Sequence, residues 1–319
     1  MNKLLKVLAA SALVATVLVG CGKKGESTGG AAEGAKYAKA GLGVVSTVSE
    51  GQVNTTFAGV GLDADGKVQW IDIDVAQGTP NGGDAQYTQT KEQRGSDYGM
   101  KDTSAQMGNI EGGAEWDAQA AAYEKWATGK TAKEIANVET MDFHGGKAAK
   151  TGSELAAGCT ITIDDFQAAV AKAIENAQEV STDNLSLGRA MSYESDTYQE
   201  PWTYLTTDLA LVATDADGKI QWLDIETAKI AADGSQLKTK TELGDEYAMK
   251  STSAQMGNIE GGAEWDQQAA SFETWAKGKT ADEVAKAAGE DGKPTDTDLS
   301  SGCTISITQF QAAVADALK

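Results

Sequence analysis

One histidine, three cysteines and three prolines are all that 319 residues contain, and each scarcity closes a route. The lone His144 has no counterpart elsewhere in the chain, so a Ser-His-Asp hydrolase would lack a repeated base, and a loop histidine is the simpler reading. Beyond Cys21 the only thiols are Cys159 and Cys303. They are too few for a disulfide scaffold and, with a single imidazole, a poor ligand supply for zinc or haem. Basic side chains are also short, 27 against 47 acidic ones, for a net charge of −20. A surface of that sign repels nucleic acid and anionic membrane faces, so no nucleic-acid partner is expected. It favours solubility and could steer cationic ligands or basic partners.

What is present begins with an export layout. Residues 1–20 carry Lys3 and Lys6 ahead of an apolar run from Val7 to Val19, too short for a durable membrane span. Loss of those two lysines with the signal brings the formal balance to −22. The run ends in Leu18-Val19-Gly20-Cys21, which resembles the lipobox of bacterial lipoproteins. That resemblance implies cleavage before Cys21, acylation of its sulfur, and a lipid anchor on the extracytoplasmic face of the cell membrane. Residues 21–36, rich in Gly, Ser, Thr and Lys, read as a flexible tether.

The rest is written twice. Asp63 to Trp70 (DADGKVQW) returns as Asp215 to Trp222 (DADGKIQW), and Thr103 to Asp117 returns unchanged as Thr252 to Asp266. Gly129-Lys-Thr131 recurs as Gly278-Lys-Thr280, Gly158-Cys-Thr160 as Gly302-Cys-Thr304, and Phe166 to Ala171 as Phe310 to Ala315. Two repeats of about 140 residues are too few and too long for a solenoid. They predict two domains, 37–180 and 185–319, joined near Glu179 to Asn184.

Within each copy, a strand near Gly41 to Val48 precedes a hairpin with arms Phe57 to Leu62 and Lys67 to Val75. Asp63-Ala-Asp-Gly66 is read as its turn, because a calcium loop would need Gly and Glu where Val68 and Asp74 stand. A Gly-rich segment then leads into a helix from about Ala114, with Trp116, Ala120, Tyr123 and Ala127 on one face, as are Trp265, Ala269, Phe272 and Ala276. Gly129 ends it, and Thr131 starts a short helix. Thr160 to Ile163 alternates like a strand, and Asp164 with Gln167, or Thr308 with Gln311, spells a capping box for the last helix. The fold class expected is α+β: two tandem copies of a small antiparallel sheet packed with helices.

Ahead of that last helix stands Asp298-Leu-Ser-Ser-Gly-Cys-Thr304, which resembles the Asp-x-x-Ser/Thr-Gly-Ala-Thr motif of covalently flavinylated FMN-binding domains. Asp298, Ser301, Gly302 and Thr304 match it, with Cys303 in place of Ala. In the first copy Gly158 and Thr160 match, while Glu154 and Ala157 replace Asp and Ser. The resemblance, to two-domain FMN-binding lipoproteins of extracellular electron transfer, covers most of the mature chain. It implies covalent FMN, attached by a flavin transferase through its phosphate to Thr304 and Thr160. It further implies a membrane quinol- or NADH-linked electron donor and extracellular electron acceptors, with the chain an electron-transfer protein rather than an enzyme.

Local chemistry accords with a phosphoester: Gly302 would let another molecule approach, and the following helix start offers N–H groups. Thr162 and Ser306 are the alternative hydroxyls, two residues on. Met100, Lys101 and Ser104, with Met249, Lys250 and Ser253, are candidate ring contacts, and Asn109 and Asn258 could bond its pyrimidine edge. Lys101 and Lys250 could stabilise a reduced, anionic flavin. Trp116 and Trp265 read as core first and stacking partners second. Two other functions stay open: a flavin-free surface binding or adhesion repeat, and an FMN-dependent terminal reductase.

Overall fold

The first hairpin is built on a two-residue turn, Glu50-Gly51, with both residues at positive φ, which matches the twist of the strands it joins. In the computed structural model, which describes residues 35–80, 88–107, 110–195, 202–256 and 259–319, that turn links β1 (Tyr37–Ser49) to β2 (Gln52–Leu62). The Asp63 turn then leads to β3 (Val68–Gly78). Its Asp63 carboxylate accepts from the backbone N–H of Asp65 and Lys67 and from the Gln69 amide, and so shapes a hairpin turn. The export segment, Cys21 and nearly all of the tether lie outside the described residues, as do Asn109 and Asn258.

Among the described residues of the first half the α-helices that follow are α1 (Lys91–Arg94), α2 (Lys101–Met107), α3 (Trp116–Ala127), α4 (Ala132–Ala136) and α5 (Asp164–Glu175). Between α4 and α5 lies a small hairpin of β4 (Thr140–Phe143) and β5 (Gly146–Ala149). After α5, β6 (Gln178–Thr182) pairs antiparallel with β1, so the first sheet runs β3-β2-β1-β6. The second half repeats the order with β7 (Asn184–Glu194), β8 (Tyr204–Thr214) and β9 (Ile220–Ala231), which form a three-stranded antiparallel sheet. Its helices are α6 (Lys240–Leu243), α7 (Lys250–Met256), α8 (Trp265–Ala276), α9 (Ala281–Ala285), α10 (Thr297–Ser300) and α11 (Thr308–Ala317). The class is α+β, with antiparallel sheets packed by helices. Asp183 alone separates β6 from β7.

Period-two alternation splits each sheet into two buried faces. On the first sheet, Ala58, Val60, Ile71, Ile73 and Val75 meet α3 and α5. The opposite face, with Leu42, Val44, Val53 and Phe57, packs against Leu187, Leu205, Leu209 and Leu211 of the second sheet. The second sheet's other face carries Val212, Leu223 and Ile225 under α8 and α11. The layers are therefore helix, sheet, sheet, helix, and Ala31–Lys319 is one compact unit. The stripes expected on α3, α5, α8 and α11 all face these cores. Phe166 meets Trp116 and Tyr123 edge-on at 5.8 and 5.4 Å, contacts worth about 0.5–1.5 kcal/mol each beyond burial.

The repeated Gly-Lys-Thr turn pins helix to sheet: Gly129 N–H donates to Val68 O and Val68 N–H to Lys130 O, as Gly278, Ile220 and Lys279 do. Two expectations fail nearby. Thr160 to Ile163 is no strand; its one pairing is a lone bridge from Thr162 to Ala148. Cys159 and Ile163 are buried and Thr162 exposed, so the alternation is of burial without a sheet partner. Nor is there a capping box on α5 or α11, whose N-caps are Ile163 and Ile307. Asp164 accepts instead from Lys147 N–H, and Gln167 and Gln311 donate to Ile135 O and Val284 O, tying the helix to its neighbours.

Candidate functional site

Helices α3 and α5 cover only one end of the first sheet's face. At the other end the strands turn polar: Thr47 and Ser49 on β1, Gln52, Asn54 and Thr56 on β2, Gln77 on β3. Gln77 Nε2 donates to Asn54 Oδ1 at 2.8 Å and Gln52 Oε1 at 3.0 Å, a neutral amide cluster. This end forms the floor of a cleft of about 990 Å³, walled by Met100, by Ser104 and Met107 of α2, by the tip of the β4–β5 hairpin, and by Thr160 to Thr162 and Asp164 to Phe166. His144, at φ 46, sits in that hairpin turn and lines the cleft.

Thr160 stands half-buried where this cleft meets a second cavity of about 310 Å³, lined by Met141, Ser153 and Ala157 among others. Its N–H and hydroxyl both donate to Gln119 Oε1, at 2.9 and 3.1 Å. Gln119 is buried on α3, and its Nε2 reaches Ala114 O at 3.3 Å and Met100 Sδ at 3.5 Å. The second half repeats the arrangement: Thr304 N–H and hydroxyl donate to Gln268 Oε1 at 2.9 and 3.1 Å. Gln268 Nε2 reaches Ala263 O at 3.3 Å and Met249 Sδ at 3.4 Å. A hydroxyl held this way keeps its oxygen lone pairs for another group.

The structure thus brings Thr160 together with Met100, and Thr304 with Met249, through a glutamine that the sequence reading overlooked. The signal was there: Gln119 and Gln268 each stand three residues past the repeated tryptophan. Ser104 and Ser253 are buried and accept from Ala114 and Ala263 N–H, so they hold the turn into the Trp helix.

Lys101 and Lys250 are exposed, and Lys101 does not line the cleft; Lys91 does. Lys91 lies 5.6 Å from the Trp116 ring centroid, and burial pulls its ammonium down to about 8. Lys240 takes the same place at 5.3 Å from Trp265. With a lysine against the ring and an edge-on phenylalanine beside it, each tryptophan is a core residue.

The motif glycines also serve packing. A Cβ on Gly158 would come within 2.8 Å of Ala122, and one on Gly302 within 2.6 Å of Ser271 Oγ, so each lets its turn lie against the Trp helix rather than opening it to a ligand. Asp298 and Ser301 are exposed; Ser301 Oγ donates to Asp298 O at 2.7 Å, which shapes the turn after α10. Cys159 and Cys303 are buried, and burial pushes their thiols up to about 12 and about 11. Thr162 and Ser306 are exposed. Among the described residues no group of His, Cys, Asp and Glu side chains could hold a metal ion, and no helix is long and apolar enough to cross a membrane.

The chain matches none of the protein-family models, curated proteins or solved structures with which it was compared.

Proposed function

We propose that this chain is a lipid-anchored electron-transfer flavoprotein with FMN bound covalently through its phosphate to Thr160 and Thr304. In this reading the halves are two FMN-binding-like domains. The observation that carries it is the doubled Thr–Gln–Met arrangement at the matching threonines of a flavinylation-like motif, with a cleft at Thr160 large enough for a ring system.

The residues fit the group in most respects. Gln119 and Gln268 hold the threonine in one rotamer and keep its N–H bonded when the hydroxyl proton is lost. Gln52, Asn54 and Gln77 supply neutral donors and acceptors of the kind a flavin's pyrimidine edge uses. Lys91 and Lys240, rather than Lys101 and Lys250, stand where a cation would offset negative charge on a reduced ring. The helix start is the weaker element in the first half, because Asp164 and Asp165 open α5 and oppose a phosphate there, whereas α11 opens with Thr308 and Gln309. When bound, the flavin supplies the electron-carrying chemistry; the chain supplies attachment, orientation and field. Cys21 would hold both sites near a membrane quinol- or NADH-linked donor, with extracellular acceptors on the far side.

Intact-mass analysis of the mature chain, co-expressed with a flavin transferase, tests this. Two FMN adducts are expected, Thr160→Ala and Thr304→Ala should each remove one, and Thr162→Ala and Ser306→Ala none. A chain that leaves the transferase without added mass refutes the proposal.

A further inference from the structure

The two halves diverge on the sheet face that, in the first half, floors the cleft at Thr160. Strand register fixes the correspondence: Ala58 pairs with Gly43 in the first sheet as Ala210 pairs with Gly188 in the second. Counting from there, Ser49, Thr56 and Gln77 of the first floor become Glu194, Asp208 and Lys229. A neutral surface in one half is a charged one in the other.

Asp208 is the exceptional member. It is 4% exposed; one carboxyl oxygen accepts from Thr227 Oγ1 at 2.5 Å, and the other, Oδ2, is buried without a partner. A solvent-shielded acceptor left open like this is costly, and structures usually provide a partner. Charged groups reach it from three sides. Lys240 of α6, which also lies against Trp265, favours the ionised form, and Glu194 of β7 opposes it. On β9, Lys229 is paired with Glu194 at 2.5 Å. From α11 only Phe310, Ala313 and Val314 are buried in the core beneath, all apolar.

We infer that Asp208 is a proton partner of the second flavin site, at a floor position that Thr56, which cannot ionise, holds in the first; this rests on FMN being carried at Thr304. Two electrons from the membrane donor, entering the second site, raise the negative charge beside Asp208. Its carboxylate then binds one proton from solvent, forming one O–H bond, and releases that proton when the electrons leave. Asp208 is a positioning and proton-balancing residue that acts on the field around the ring. Burial already pushes its carboxyl up to about 6, so the extra proton is taken up above that pH and not below it, where the group is protonated in both states.

The test uses mature chains loaded at one site only, Thr160→Ala for the second site and Thr304→Ala for the first, each titrated spectroelectrochemically from about pH 5 to 8. Above pH 6 the chain loaded at Thr304 should take up one more proton per electron pair than its own Asp208→Asn variant, and Thr56→Asp should add to the uptake of the chain loaded at Thr160. A slope of potential against pH that Asp208→Asn leaves unmoved overturns the inference. Absence of an adduct on Thr304 overturns the flavin reading itself, and intact mass reveals it before any titration.

Discussion

Replacing Arg189 with Met should cost more stability than any other single change at the contact between the sheets. Arg189 comes from β7 and is 7% exposed, yet its ion-pair partners from the other half all belong to one acidic group. Its guanidinium pairs with Asp74 at 2.8 Å and Asp72 at 2.9 Å, and also with Glu92; within its own half it pairs with Asp316 at 3.7 Å and donates to Leu187 O at 3.0 Å. Asp74 is fully buried, and Asp72 already has one oxygen without a partner. Methionine retains much of the stem's packing but leaves those carboxylates without their cation. Removing one member of a buried pair costs about 3–5 kcal/mol, and the half-exposed Glu92 adds little. At roughly 2–4 °C per kcal/mol, Tm should fall by about 6–20 °C. Calorimetry and urea unfolding followed by tryptophan fluorescence would measure it. Adding Asp74→Asn to the Met variant should recover part of the loss, because the stranded charge is gone. A loss below about 1 kcal/mol, or one that Asp74→Asn deepens additively, would refute the account.

Stability should rise as pH falls from 8 to 5. Burial raises Asp72, Glu226 and Glu273 to about 7, Glu124 to about 8 and Asp224 to about 6, all above their unfolded values. The folded state therefore binds more protons in that window, and the stability those groups contribute at low pH is lost as pH climbs through their folded values. A flat urea midpoint over that range would contradict this, and Asp224→Asn should reduce the slope. Gly188→Ala should destabilise by about 1–3 kcal/mol or more, since its Cβ would press into Ala313 O of α11. An unchanged unfolding midpoint would mean the helix can shift away from β7.

The elements legible in the sequence were those whose pattern depends on local geometry and one buried face. The Asp63 turn and the stripes of α3, α5, α8 and α11 follow from spacing alone. What was not legible depends on partners far along the chain. Thr160 to Ile163 alternates as a strand would, but nothing local says that no second strand lies beside it. Asp164 and Gln167 spell a capping box, yet Lys147 N–H and Ile135 O compete for those side chains and win. The sheet-on-sheet packing left a faint trace, buried residues on both faces of β2 and β8, which reads equally well as a strand within a single domain. Arg189 looks like a surface residue until Asp72 and Asp74, more than a hundred positions away, close around it.

The site divides along the same line. Thr160 and Thr304 stood out because the motif is contiguous, and Gln119 was findable because it recurs at a fixed distance from Trp116. Lys91 was findable in the same way, nine residues before Met100, as Lys240 is before Met249. Lys101 and Lys250 stand just ahead of the unchanged block, much of which positions the Trp helix through Ser104, Glu115 and their counterparts. Repetition therefore marks the machinery that the two halves need in common: a turn, a helix and a clamped hydroxyl. The positions that set each site's electrostatics are those where the copies disagree. Ser49, Thr56 and Gln77 against Glu194, Asp208 and Lys229 are scattered over three strands in each half, and only strand register places them under one floor. If the halves work as a pair, their division of labour is written in those mismatched positions, which an alignment of the two copies alone would pass over as noise.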